Sequence, residues 1–256
     1  MKFRADLFLE KFLAKSDFDL PTNAQDSIRI ITRLRAGNSR VTLIFVPWQS
    51  GRVMQSWIMK QVPKNRDVYS ISPRSLLLKD PIQTKTQSLR VCEQSLEQVR
   101  KIVDSKKYEE LDIAGLSIGT GVAVYVANRI STKINNIDLV CPGAKLSTAL
   151  WLGSRTKSLR TKYEDQGFEL EDIQRLWSQV DLINNLDFAR KTSVRVTYSG
   201  ADSVIVASQT EKVIEKLKDL KPPKLKIRRN RTKGHYLTMF STWLNWRTIY
   251  RSGKIR

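Results

Sequence analysis

The chain alternates between two apolar rhythms. "DSIRIITRLRA" switches between apolar and polar residues, the pattern of a half-exposed strand. "VTLIFV" (41–46) is a continuous β-branched run, as expected of a strand buried on both faces. After the break "PWQSG", Met54, Trp57, Ile58 and Val62 recur at helical spacing. "DVYSIS" (67–72) reads as a short strand, and Leu89, Cys92, Leu96, Val99 and Val103 form the stripe of a long helix.

"LDIAG" then predicts a strand, followed by a mostly apolar helix over "GVAVYVANRI". "INNIDLVC" is a further strand, ended by Pro142-Gly143, and "SVRVTYSG" (193–200) another. Val206, Val213, Ile214 and Leu217 mark a helix. "KLKIRR" predicts a last strand, and "GHYLTMFSTWLNWRTIY" a final helix. An antiparallel start followed by strand–helix alternation predicts an α/β protein with a mainly parallel sheet. Residues 144–190 lack a strand pattern, so they read as a helical cap or lid inserted in a single domain spanning 1–256.

The 256 residues are enough to bury a substantial core. Two cysteines far apart, Cys92 and Cys141, do not suggest a disulfide framework, which points to a reducing compartment. With one histidine they are too few for a convincing zinc site, so no metal or other cofactor is expected. Charged residues interrupt the N-terminal segment "MKFRADLFLEKFLAK", which therefore does not read as a signal peptide. No apolar run approaches 18 residues. The expectation is a soluble, cytoplasmic protein.

Charge changes the picture. There are 45 basic and 25 acidic residues, for a net charge of +20. Lys221–Arg256 holds eleven Lys/Arg and no acid, and "WLGSRTKSLRTK" (151–162) four more. A field of this kind suits an anionic membrane surface, an anionic small substrate or, less favoured, nucleic acid. It is equally compatible with a merely solvated surface. Basic residues interleaved with Trp243, Trp246 and Tyr250 fit a lipid interface, and the same tryptophans also fit a core.

The chemistry centres on "LDIAGLSIGTG", which fits two templates. Gly115, Gly119 and Gly121 match the G-x-x-x-G-x-G turn of short-chain dehydrogenases, with Asn184-Asn185 and a Tyr-x-x-x-Lys pair (Tyr250, Lys254) further on. The architecture opposes an NAD(P) enzyme. That turn belongs after the first strand, and here about 110 residues with several strand signals precede it. Read as G-x-S-x-G, the same stretch places Ser117 between a strand and a helix, as a nucleophile elbow requires. Flanking glycines let that turn be tight, and Gly121 reads as a helix-packing position.

A nucleophilic serine needs a base, and the base an orienting acid. The single histidine, His235, follows the last strand, and Asp202 lies just beyond another strand. Either residue alone has a plain structural explanation, as a buried histidine or a turn aspartate. The order Ser117, Asp202, His235 is the one that hydrolases with this elbow use.

In "GLSIG", "YSGADSVI" and "GHYLTMF", over residues 25–250, the chain resembles the α/β-hydrolase family. The resemblance implies a mostly parallel sheet of about eight strands flanked by helices. It also implies an oxyanion hole from the backbone N–H groups of Ile118 and of Trp48, in "FVPWQSGRVMQSW". Relatives commonly carry His-Gly where this chain has Val46-Pro47. Proline leaves the Trp48 N–H intact. The expected activity is cleavage of an ester or related acyl bond, with an anionic or lipid-like substrate in view. Transfer of the acyl group to another acceptor, or a non-catalytic binding role for the basic face, are the alternatives.

Overall fold

The computed structural model describes residues 27–34, 40–47, 55, 58–60, 62, 66–74, 76–231 and 233–244. Seven strands form one sheet: β1 (Ile28–Arg33), β2 (Arg40–Phe45), β3 (Asp67–Pro73), β4 (Glu110–Leu116), β5 (Lys133–Val140), β6 (Ser193–Ser199) and β7 (Leu225–Asn230). Their spatial order is β1-β3-β2-β4-β5-β6-β7. Only β1 runs antiparallel, against β3, and the other pairs are parallel. The expected count of about eight is thus seven among the described residues.

Side chains alternate between the two sheet faces, as the strand period of two requires. Val41, Leu43 and Phe45 of β2 join one apolar core, and Ile44 the other. Leu111 and Ile113 of β4 divide from Ala114 and Leu116 in the same way. Both faces are therefore covered, which explains the unbroken apolar runs.

Helices α1 (Pro81–Lys106) and α2 (Gly119–Ala127) fall where the periodicity places them, although α2 ends three residues before Ile130. The Asp80 side chain caps α1 by accepting the Ile82 and Gln83 N–H groups, and Pro81 opens its first turn. Between β5 and β6 lie α3 (Leu146–Leu152), α4 (Lys157–Glu164), α5 (Leu170–Trp177) and three short 3-10 turns. Helix α6 (Ala207–Leu220) precedes β7, and α7 (His235–Leu244) follows it. Ile58 and Val62 are buried in the second core. Met54, Trp57, Trp246, Tyr250 and Lys254 lie outside the described residues.

The 144–190 segment is helical and is anchored to the start of α1. The Tyr163 hydroxyl donates to the Leu78 carbonyl at 2.7 Å and meets the Thr84 hydroxyl at 2.7 Å. The Trp177 indole N–H donates to the Pro81 carbonyl at 3.0 Å. The two rings meet edge to face with centroids 6.1 Å apart. Both side chains are fully buried.

Candidate active site

Strand β4 lies at the centre of the sheet, and Ser117 is the first residue beyond it. Its φ is +50°, in the left-handed region that non-glycine residues rarely occupy. Backbone bonds hold it there. The Ser117 N–H donates to the Val140 carbonyl at 2.8 Å, and the Ser117 carbonyl accepts the Thr120 N–H at 2.9 Å. The Thr120 hydroxyl donates to the same carbonyl.

The glycines on either side explain how the turn closes. A Cβ on Gly115 would stand 2.6 Å from the Thr120 Cα. One on Gly119 would stand 2.5 Å from the Phe45 carbonyl oxygen. Helix α2 therefore comes so close to β2 and β4 that only hydrogen fits. Gly121 differs, and its expected packing role is not found. A Cβ there would meet nothing nearer than the Val180 carbonyl oxygen at 3.9 Å, in space beside Ser117.

Asp202 and His235 converge on Ser117 from the ends of the two neighbouring parallel strands beyond β5. The Asp202 Oδ1 accepts the N–H groups of Val204 and Ile205, both at 2.9 Å, which fixes the carboxylate in its turn. Its Oδ2 accepts from His235 Nδ1 at 2.6 Å. A carboxylate already taking two N–H bonds is an acceptor, so the proton sits on Nδ1 and leaves Nε2 as the acceptor. Nε2 lies 2.9 Å from the Ser117 Oγ.

His235 opens α7, whose first turn is closed by the Thr238 N–H on the Gly234 carbonyl. The loops that carry acid and base are tied together, because the Ser199 hydroxyl donates to the Lys233 carbonyl and accepts the Ala201 N–H. All three side chains of the constellation are buried.

Ile118 follows Ser117 at the head of α2. Ile118 and Ser117 line the same cavity. Trp48, the other expected oxyanion donor, lies outside the described residues. Pro47 and the buried Val46 bring the chain to it, and the Val46 N–H donates to the Ile71 carbonyl at 3.0 Å.

The pattern of apolar residues did not reveal the part played by Cys141. It is fully buried, has a φ of +52° and directs Sγ to the His235 carbonyl at 4.0 Å. Sγ, the Asp202 carboxylate and a His235 nitrogen lie within 4.8 Å of one another, a donor set able to hold a metal ion. Both imidazole nitrogens are already bonded to Asp202 and Ser117, so a metal would have to displace one of those bonds. Cys141 stands next to Pro142-Gly143 at a strand end, and that position is the one sequence signal that could have singled it out.

The Asn184-Asn185 pair has local structural roles. Asn184 donates to the Ser178 carbonyl, and Asn185 donates to the Gln179 and Asp181 carbonyls and accepts from Arg129. With the glycine turn after the fourth strand of the chain instead of the first, and Ser117 bonded to His235, the dinucleotide reading loses its geometry.

Another buried acid stands nearby. Asp181 accepts the Leu146 N–H at 2.9 Å, at the start of α3. Burial pushes its carboxyl up to about 7, while that hydrogen bond and the Lys145 charge pull it partly back.

No protein-family model matches the chain. No curated protein matches it either. Solved structures do. An α/β-hydrolase enzyme from a Medee basin deep-sea metagenome library is similar with a TM-score of 0.54 and 11% identity, over 90% of this chain and 94% of that one. Carboxylesterase CesB of Bacillus subtilis is similar with a TM-score of 0.53 and 13% identity, over 99% and 98%. The acylaminoacyl peptidase of Pyrococcus horikoshii reaches a TM-score of 0.61 at 12% identity, over 88% of this chain and 38% of that longer one.

Proposed function

The chain has the α/β-hydrolase fold, and we propose that it is a serine hydrolase acting on an ester or related acyl bond. One observation carries this reading: the unbroken hydrogen-bonded line from Asp202 through His235 to Ser117, at 2.6 and 2.9 Å. The esterase and peptidase names of the structural neighbours support it.

In this mechanism Ser117 Oγ attacks the acyl carbonyl and His235 Nε2 takes its proton. Asp202 holds the imidazole in the tautomer that can accept, and it stabilises the imidazolium that forms. The Ile118 N–H, joined by that of Trp48, stabilises the oxyanion. His235 returns the proton to the leaving group, and water then releases the acyl group by the same relay. The positive φ of Ser117 serves this chemistry by lifting Oγ out of the sheet toward the imidazole.

The test is labelling by a fluorophosphonate probe. The wild type is expected to be labelled at Ser117, and Ser117→Ala not at all. An unlabelled wild type with no esterase activity sinks the proposal.

We further propose that the basic edge of the sheet meets an anionic membrane surface. Lys226, Arg228 and Arg229 of the edge strand β7 are exposed, within a stretch that carries no acid. No helix among the described residues is long and apolar enough to cross a membrane, so the contact would be peripheral. Co-sedimentation with vesicles should rise with anionic lipid content and fall with salt. Binding indifferent to lipid charge would refute it.

A further inference from the structure

Gly121 was singled out by the glycine pattern, and the elbow does not use it. It is not at a positive φ, and no tight contact excludes a side chain there. Glycine within a helix is ordinarily unfavourable relative to alanine. Its one distinctive property is its place: four residues after Ser117 on α2, in the wall of the cavity that Ser117 opens into.

That cavity is lined by α2 and by residues from α1 (Cys92), α3 (Leu146, Ala149) and the 3-10 turns (Val180, Leu182). Among the described residues that line it, none carries a charge. Its volume is about 40 Å³. A water molecule needs roughly 10–15 Å³ of such space, so the cavity takes about three heavy atoms.

We infer that this cavity is the acyl-binding pocket and that Gly121 sets its depth, selecting short uncharged acyl groups, up to about four carbons. The inference rests on the serine-hydrolase reading. With the carbonyl carbon at Ser117, an aliphatic chain would run along α2 past residue 121. Each methylene placed there transfers from water to an apolar wall, which is worth about fourfold in kcat/KM. An anionic acyl group would find no counter-charge among the described lining residues.

The experiment is a kcat/KM series on p-nitrophenyl esters from acetate to octanoate, with the wild type, Gly121→Ala and Gly121→Val. Fluorophosphonate labelling at Ser117 and thermal melts run beside it. The wild type should prefer butyrate to acetate and lose at least tenfold by octanoate. Gly121→Val fills the space of about two methylenes, so its butyrate-to-acetate ratio should fall about fifteenfold. Gly121→Ala has room for its methyl, should keep or raise Tm, and should lower the ratio about fourfold. It keeps the test decisive if the valine variant does not fold.

Ratios parallel to wild type in a folded variant, or a wild type that prefers octanoate, would overturn the pocket assignment while labelled Ser117 leaves the hydrolase reading standing. No labelling and no turnover of any ester would overturn both.

Discussion

The turn after β4 and the helical excursion between β5 and β6 meet at the same cavity, and they are held by different forces. The turn is fixed by backbone: a strained Ser117, carbonyls and N–H groups of adjacent strands, and two glycines with no room for a methyl. The excursion is fixed by side chains: Tyr163 and Trp177 on the start of α1, and the buried Asp181 on α3. Backbone bonds between neighbouring strands position atoms to a fraction of an ångström. Side-chain packing sets the shape and size of a space. The proposed chemistry sits on the first kind of support and the proposed selectivity on the second.

Substitutions can separate the two. Ser117→Ala should lower kcat/KM by about 10⁴–10⁶, with Tm within about 2 °C of wild type, because alanine bears the same positive φ. A steady-state assay with a parallel melt checks both halves.

Trp177→Ala acts on the other support. It removes a fully buried indole and its hydrogen bond, and should cost about 3–5 kcal/mol in urea unfolding. If the distinction holds, probe labelling at Ser117 should persist in the folded fraction while acyl-chain selectivity broadens.

Asp181→Asn sharpens the comparison through pH. The folded-state carboxyl titrates near 7 against an ordinary value of 3.8. The native state therefore binds the proton more tightly than the unfolded chain. Wild-type stability is highest below about pH 4 on this account and declines as pH rises through 7. Asparagine keeps an acceptor for the Leu146 N–H without the buried charge. The variant should gain on the wild type by on the order of a few kcal/mol between those limits, read from denaturation midpoints at pH 4 and pH 8. An equal difference at both pH values would remove Asp181 from this role.

The smallest effect is expected at Gly119→Ala. The added methyl would press on the Phe45 carbonyl, so the variant should lose about 1–3 kcal/mol. Labelling of Ser117 should slow as the elbow shifts. The same substitution at Gly121 should leave Tm unchanged or raise it, which tells the two glycines apart.

Much of the site was legible along the chain because its parts sit in recognisable places. Ser117 lies between an apolar strand and an apolar helix, and Asp202 and the single histidine each follow a strand in the order a hydrolase uses. Sequence distance hid how these parts meet, since 118 positions separate Ser117 from His235. The two glycine templates share Gly115 and Gly119, and pattern alone gave Gly121 a packing role that the space around it does not support. Cys141 entered the sequence reading only as one of two distant cysteines, because nothing local shows that it touches the His235 backbone. The absence of strands in 144–190 was visible, whereas the anchoring of Tyr163 and Trp177 to α1 was not, being made across 79 and 96 positions.

By itself, then, the sequence determined the alternation of elements and the two-faced burial of the sheet, and it named three candidate residues. Periodicity and turn chemistry are local, and local physics is written in neighbouring residues. Only the tertiary structure decided that Asp202, His235 and Ser117 form one hydrogen-bonded line, and that Gly121 borders a cavity of about 40 Å³. Hydrogen-bond reach and cavity size depend on how strands register and helices pack, and those distances exist only once the chain has folded.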